Sequence, residues 1–80
     1  MRPRLIAKSK QIANELVQTG IGSDEQLVQV VRDRVAQEHE VGSLAFVIMV
    51  KIILFIIEHM LLSGGLMPSD DTISNTYDVE

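Results

Sequence analysis

The sequence predicts an all-α protein, in which an N-terminal amphipathic helical hairpin is followed by one long, nearly all-apolar helix and an extended acidic C-terminal tail. Apolar residues recur at three- and four-residue spacings through the first part of the chain, as on one face of a helix. The stretch from Leu44 to Leu62 is then apolar except for three polar side chains. After it, Gly64 and Gly65 stop the helix, and the remaining chain is polar, acidic and without a period. The predicted segments are the hairpin at 1–40, the apolar helix at 41–63 and the tail at 64–80.

Length and composition limit what the chain can do. With 80 residues it has room for one domain, and a domain of this size buries a limited fraction of its surface unless partners add to its core. Hydrophobic residues make up 46% and aromatic residues 4%, so the apolar content is aliphatic and suits helix packing better than base stacking. The chain has no cysteine, which excludes disulfide frameworks and thiolate nucleophiles. The apolar run begins past residue 40, so no cleavable secretory signal is expected.

The first helix is expected from Pro3 to Thr19. Pro3 suits a first helical turn, where its missing N–H would be unpaired anyway, and Gly20 suits the left-handed residue that ends a helix. Polar residues fall opposite the apolar ones, so the helix is amphipathic. The expected apolar face consists of Leu5, Ile6, Ile12, Ala13, Leu16 and Val17.

The second helix is expected to begin after a short connection at 20–22 and to continue to Glu40. Ser23 and Gln26 predict a capping box, in which each side chain accepts a hydrogen bond from the backbone N–H of the other residue. Because the connection is short, the two helices are expected to fold back as antiparallel neighbours. The expected apolar face of the second helix consists of Leu27, Val28, Val31, Val35 and Ala36.

The third helix is predicted because its apolar run is too long for one strand and contains no turn residues. At Gly42 and Ser43 two outcomes are open: the helix breaks or kinks, or it continues, since one glycine costs only about 1 kcal/mol in a helix interior. Lys51 and Glu58 lie seven positions apart, on nearly one line of the helix, with His59 beside Glu58. An ion pair between the two charges is expected to join two chains, and an antiparallel contact suits it best.

We expect the apolar helix to be the interaction surface of the protein. A helix that is apolar nearly all round must be covered nearly all round, and the two apolar stripes of the hairpin can cover about half of it. Lipid or sister subunits must then cover the rest, because soluble monomers seldom expose large apolar patches. The residues expected to make this association are Phe46, Ile48, Val50, Lys51, Ile53, Phe55, Ile57 and Glu58.

Three arrangements of this helix are open, and the sequence favours the first, a non-catalytic single-span membrane protein with its hairpin on the cytoplasmic side. In the first it spans a membrane, because 41–62 at about 1.5 Å per residue gives roughly 30 Å, the thickness of a bilayer core. The excess of basic residues at the N-terminus then places that end in the cytoplasm, while Lys51 near mid-span opposes insertion by about 2.5–3.5 kcal/mol. In the second arrangement the helix is buried between subunits of a homo-oligomer or a large assembly such as a viral particle. The third is a compact soluble monomer.

We expect no catalytic, cofactor or metal site. His39 and His59 lie next to acidic residues, but neither Glu-x-x-His nor His-Glu-x-x-His occurs. No nucleophile stands beside a base. The expected partners are copies of this chain or other protein subunits, with membrane lipid if the helix spans. Nucleic acid is not expected, because the basic arm makes a weak patch. The basic arm consists of Arg2, Arg4, Lys8 and Lys10.

Overall fold

The computed structural model describes residues 3–20 and 23–76, in which four helices and no strand occur. They are α1 (Pro3–Thr19), α2 (Asp24–Val35), α3 (Leu44–Ser63) and α4 (Asp70–Thr76). The prediction of an all-helical chain with one long apolar helix is confirmed.

The bounds of α1 and the start of α2 follow from local chemistry. α1 begins at Pro3 and ends at Thr19, after which Gly20 has a φ of 89°, in the left-handed region that glycine adopts without strain. At the start of α2, the N–H of Gln26 donates to Ser23 Oγ at 3.3 Å, and the N–H of Ser23 donates to Gln26 Oε1 at 3.4 Å. The predicted bounds of α1 and the capping box are confirmed.

α2 is shorter than the sequence predicts. It ends at Val35, and turns occupy the chain up to the start of α3. Gly42 has a φ of 90°, and Ser43 Oγ accepts a hydrogen bond from the N–H of Phe46 at 3.2 Å as the N-cap of α3. The join is therefore a break, because a left-handed glycine and a serine cap separate the two helices. Val41, which the prediction placed in the apolar segment, lies in the turn and is 60% exposed.

α3 is the centre of the fold. α1 and α2 both pack mainly against it, and all four helices contribute to one core. α1 and α2 each bury one face, whereas α3 is buried over a wide face because it has neighbours on more than one side. The core consists of Ile6, Ile12 and Ala13 of α1, Leu27, Val31 and Val35 of α2, Phe46, Ile48, Met49, Val50, Ile52, Ile53, Ile56, Ile57 and Met60 of α3, and Ile73 of α4.

The two predicted amphipathic faces differ in outcome. All six residues of the predicted face of α1 are buried or partly buried. In the second helix, Val28 and Ala36 are exposed, contrary to the prediction. α2 buries a single line of residues spaced four apart, Leu27, Val31 and Val35, and Ala36 lies beyond its last turn.

α3 ends where the glycines predict. Gly64 has a φ of 76°, and its N–H donates to the carbonyl oxygen of Met60. Ser63 Oγ donates to the carbonyl oxygen of His59 at 2.7 Å and accepts from the N–H of Leu66 at 3.2 Å. The bond to Met60 satisfies a carbonyl that the end of a helix leaves open, so the predicted stop is confirmed.

The C-terminal segment is not the extended tail that the sequence predicts. Asp70–Thr76 form α4, and Ile73 is fully buried in the core. Ser69 Oγ accepts a hydrogen bond from the N–H of Thr72 at 3.2 Å, and two aspartates in the first turn suit the positive end of the helix. The prediction overlooked this helix because a single apolar residue makes no period. Residues 77–80 of the predicted tail lie outside the described residues.

Ser9 is a polar residue on the buried side of α1. Its side chain is fully buried, and its Oγ has no hydrogen-bond partner among the described residues. A buried hydroxyl without a partner costs free energy, so Ser9→Ala is expected to raise the free energy of unfolding by about 1 kcal/mol. Chemical denaturation measures this change. Ser9→Val is the control, since its added volume should lower stability by overpacking, and a loss of stability in the alanine variant would contradict the assignment.

Candidate interaction surface

The structure divides the eight predicted interaction residues into two groups. Five are in the chain's own core, where they are not available to a partner in this conformation. The other three are on the outer side of α3, where Lys51 and Glu58 are exposed and Phe55 is partly exposed. The five core residues are Phe46, Ile48, Val50, Ile53 and Ile57.

The outer side of α3 carries five further apolar residues. Leu44, Leu61 and Leu62 are 73%, 65% and 89% exposed. Val47 is also exposed, and Leu54 is partly exposed. Together with the two charges and the aromatic ring they form a continuous surface along the helix, in which six of eight residues are apolar. This surface is named the outer stripe and consists of Leu44, Val47, Lys51, Leu54, Phe55, Glu58, Leu61 and Leu62.

The spacing of the charges in the sequence indicates which side of α3 is exposed, and so identifies the five outer-stripe residues that the prediction missed. Lys51 and Glu58 share one line of the helix, so residues three, four or seven positions from either charge lie on the same side. The missed residues all satisfy this rule. The prediction treated α3 as apolar on every side and did not use the two charges to orient it. The missed residues are Leu44, Val47, Leu54, Leu61 and Leu62.

Two ring contacts help to position α3 and its side chains. The Arg32 guanidinium of α2 lies over the Phe46 ring, 5.3 Å from its centroid, and so links α2 to the first turn of α3. Further along, the rings of Phe55 and His59 lie one turn apart with centroids 6.3 Å from each other. The second contact supports Phe55 within the outer stripe, on a rigid element rather than on a loop.

Charged side chains link α1 to the chain around the end of α2. Lys8 Nζ lies 3.1 Å from the Glu38 carboxylate. Arg34 lies 3.1 Å from Glu38 and 3.6 Å from Glu15. Lys8 precedes Glu15 in α1, whereas the partner of Lys8, Glu38, follows the partner of Glu15, Arg34. This reversed order is that of two antiparallel segments. The connection at 21 and 22 lies outside the described residues, so the hairpin stays a prediction. The main packing partner of both α1 and α2 is α3.

Glu38 is the carboxylate at the centre of this network. Partial burial opposes its charged form, but the hydrogen bonds and charges of Lys8 and Arg34 outweigh that effect and hold the pKa of Glu38 below its usual value of 4.5. A carboxyl whose pKa is lowered by folding stabilises the fold above its unfolded pKa. That contribution is lost as the pH falls below 4.5 and through the folded pKa.

Glu38→Gln is expected to remove this pH dependence. At neutral pH the variant should be less stable than wild type by up to about 1 kcal/mol, the range of exposed ion pairs. The difference should shrink as the pH falls below 4.5, because wild type then loses the same charge. Urea unfolding at a series of pH values measures both. The matched variant Glu40→Gln, at a nearby exposed residue, should still lose stability as the pH falls below 4.5, as wild type does. Equal behaviour of the two variants would contradict the role of Glu38.

The basic arm and the acidic C-terminal segment meet in the fold. Lys10 forms an ion pair with Asp70 in the first turn of α4, and Lys8 pairs with Glu38. Two of the four residues of the basic arm therefore have acidic partners in their own chain. These pairs reduce the positive charge that the arm presents to nucleic acid or anionic lipid. Arg2 lies outside the described residues.

His39 and His59, with the acidic residues beside them, do not form a metal site in the described part of the chain. Within residues 3–20 and 23–76, no group of three or more histidine, aspartate and glutamate side chains could hold a metal ion. His59 is partly buried against the ring of Phe55, while Glu58 beside it is exposed on the outer stripe.

α3 is long and apolar enough to cross a membrane, and it is the one helix with that property in the part of the chain that the structure describes. Half of its most apolar stretch is buried inside the fold. The core helix of a soluble protein can have the same length and composition, so these two properties do not distinguish a membrane span from a buried core helix. No family model, curated protein or solved structure matches the chain.

Proposed function

We propose that this chain is a small, non-catalytic structural protein that acts through helix–helix association, with the outer stripe of α3 as its contact with other protein chains. One observation carries the proposal: α3 is buried over a wide face, and its remaining side is mostly apolar, with Lys51, Glu58 and the partly buried His59 as its polar residues before the terminal serine. A contiguous apolar surface on a folded protein is typical of an interface. The partners are further copies of this chain, in an oligomer or in a large assembly such as a viral particle.

The shape of the surface supports this proposal. From Leu44 to Leu62 the outer stripe extends over roughly 27 Å at about 1.5 Å per residue, enough for a helix of similar length to lie along it. Its backbone is one continuous helix, capped by Ser43 and Gly64. A partner therefore meets a surface that is already ordered, which lowers the entropic cost of binding.

A single-span membrane protein is the second candidate, with the N-terminus in the cytoplasm and the acidic segment beyond the opposite face. The length and composition of α3 favour it. Two features favour association with protein instead. α1 and α2 cover a wide face of α3 while carrying charges on their outer sides, and Lys10 pairs with Asp70, although a span would separate them by a bilayer. Insertion of α3 would require both contacts to break.

Cell fractionation tests the proposal against the second candidate. Expressing cells are fractionated without detergent, the membrane pellet is extracted with alkaline carbonate, and the soluble protein is sized. We expect a soluble species larger than the 8.9 kDa monomer. Retention in the extracted membranes would contradict the proposal and support the span, and a soluble monomer would contradict both.

Leu62→Glu locates the contact. The Leu62 side chain is 89% exposed, so a charge there leaves the core intact but places a carboxylate in the interface. We expect this variant to be monomeric. Gln11→Glu, at an exposed position of α1, is the matched control and should keep the size of wild type. An assembly of unchanged size in the Leu62 variant would exclude the outer stripe as the contact.

A further inference from the structure

The outer stripe has the spacing of a seam between two helices. Six of its residues follow one another at alternating steps of three and four, the 3.5-residue repeat that keeps one side of a helix against a partner helix. They are Leu44, Val47, Lys51, Leu54, Glu58 and Leu61. The surface therefore suits a second helix along its whole length better than a loop or a strand.

The two charges in this seam indicate which helix fits. Lys51 and Glu58 are opposite in sign and stand at equal distances from the midpoint between Leu54 and Phe55. A two-fold axis through that midpoint, perpendicular to α3, exchanges the two positions. Lys51 of each copy then lies opposite Glu58 of the other. A parallel pair in register would bring like charges together, which is unfavourable.

We infer that the partner of the outer stripe is a second copy of this chain, whose α3 lies antiparallel about that axis. The inference rests on the proposed function and names its partner. The two central apolar residues of each copy meet at the axis, and Val47 lies opposite Leu62. Leu44 lies opposite Gly65, just past the end of the other copy's α3, where there is open space around the glycine. Leu61 is the exception among the seam positions, because it lies opposite Ile48, which is buried in the core of the other copy.

The apolar residues and the charges have different tasks in this dimer. Burial of the leucine, valine and phenylalanine side chains supplies the affinity, because apolar area removed from water is the main favourable term. The two symmetry-related ion pairs add little affinity as exposed pairs, but they select the antiparallel orientation over the parallel one. Since both copies use the same surface, the contact closes at two subunits.

Charge reversal tests the pairing. Lys51→Glu alone or Glu58→Lys alone places like charges at both pairs and should raise the Kd of the dimer, measured by analytical ultracentrifugation, roughly tenfold or more. The double variant Lys51→Glu/Glu58→Lys restores opposite charges in reversed order, and its Kd should return to within about threefold of wild type. Circular dichroism checks that the helices are intact. A double variant as weak as the single ones would overturn the inference.

Cross-linking tests the orientation independently, because the natural chain has no cysteine. Val47→Cys and Leu62→Cys chains are mixed and treated with a short bismaleimide that spans the roughly 8–10 Å between packed helix axes. The mixture should give a cross-linked dimer. Each variant alone should not, because its two cysteines are about 22 Å apart along the antiparallel pair at 1.5 Å per residue. Cross-linking of Val47→Cys chains with themselves would indicate a parallel pair and overturn the inference.

The outcomes separate this inference from the proposed function. A soluble assembly that requires Leu62 but gives neither charge rescue nor the mixed cross-link overturns the antiparallel dimer and leaves the association surface in place. A chain that stays monomeric at every concentration overturns both. Rescue together with the mixed cross-link supports both.

Discussion

Replacing Ile56 by alanine is expected to lower the free energy of unfolding by about 2–5 kcal/mol, the usual cost of truncating a large side chain in a close-packed core. Ile56 is fully buried in α3, the helix on which both α1 and α2 pack. Small domains have a total stability of only about 5–15 kcal/mol, so this loss is a large fraction of the whole. Urea unfolding followed by far-UV circular dichroism measures it.

Leu62→Ala is the matched control for this prediction. It removes a comparable side chain from the same helix, but one that is 89% exposed, so its effect on the stability of the monomer should stay within about 0.5 kcal/mol. The comparison is made at a concentration low enough to keep the chain monomeric. Equal losses in the two variants would mean that the inward and outward sides of α3 are assigned incorrectly.

Ile73→Ala is expected to release α4 from the core while the other helices stay folded. α4 has seven residues, too few for a stable isolated helix, and Ile73 is its buried residue. The truncation removes about 2–5 kcal/mol of packing, more than the exposed ion pair between Lys10 and Asp70 can offset. Hydrogen exchange of the α4 amides should become much faster, with slow exchange retained in α3.

Asn75→Ala controls for substitution in α4 itself. Asn75 is exposed on the same short helix, so its replacement should leave the exchange of the α4 amides nearly unchanged. If Ile73→Ala behaved like this control, α4 would be held by something other than its buried isoleucine. If it instead unfolded the whole chain, α4 would be an integral part of the cooperative core.

The features that sequence analysis predicts correctly are determined by neighbouring residues. The capping box of Ser23 and Gln26, the left-handed Gly20 and the stop at Gly64 each depend on a few consecutive residues. The buried face of α1 follows from its own apolar period. In each case the chemistry that decides the structure lies within one or two helical turns, where the sequence displays it directly.

The features that sequence analysis misses depend on contacts between distant segments. α3 is apolar on nearly every side, so its own pattern does not indicate which side α1 and α2 cover. For that reason five predicted interaction residues proved to be core residues, and only Lys51 and Glu58 pointed to the exposed side. α4 likewise depends on Ile73 finding a place in a core built by other helices. The end of α2 was missed because the turn after Val35 leaves no proline or glycine until Gly42.

The central position of α3 has a consequence for the rate at which the chain folds. α1 must close on α3 across the whole of α2, so the core cannot form until a segment late in the chain has joined the earlier ones. The entropic cost of closing this long loop is modest, since each doubling of loop length adds only about 0.6 kcal/mol to the free energy of closure. Since the core forms only when α3 has joined it, we expect the transition state for folding to contain part of α3, so that substitutions there slow refolding. Substitutions in α4, which can dock afterwards, should mainly speed unfolding.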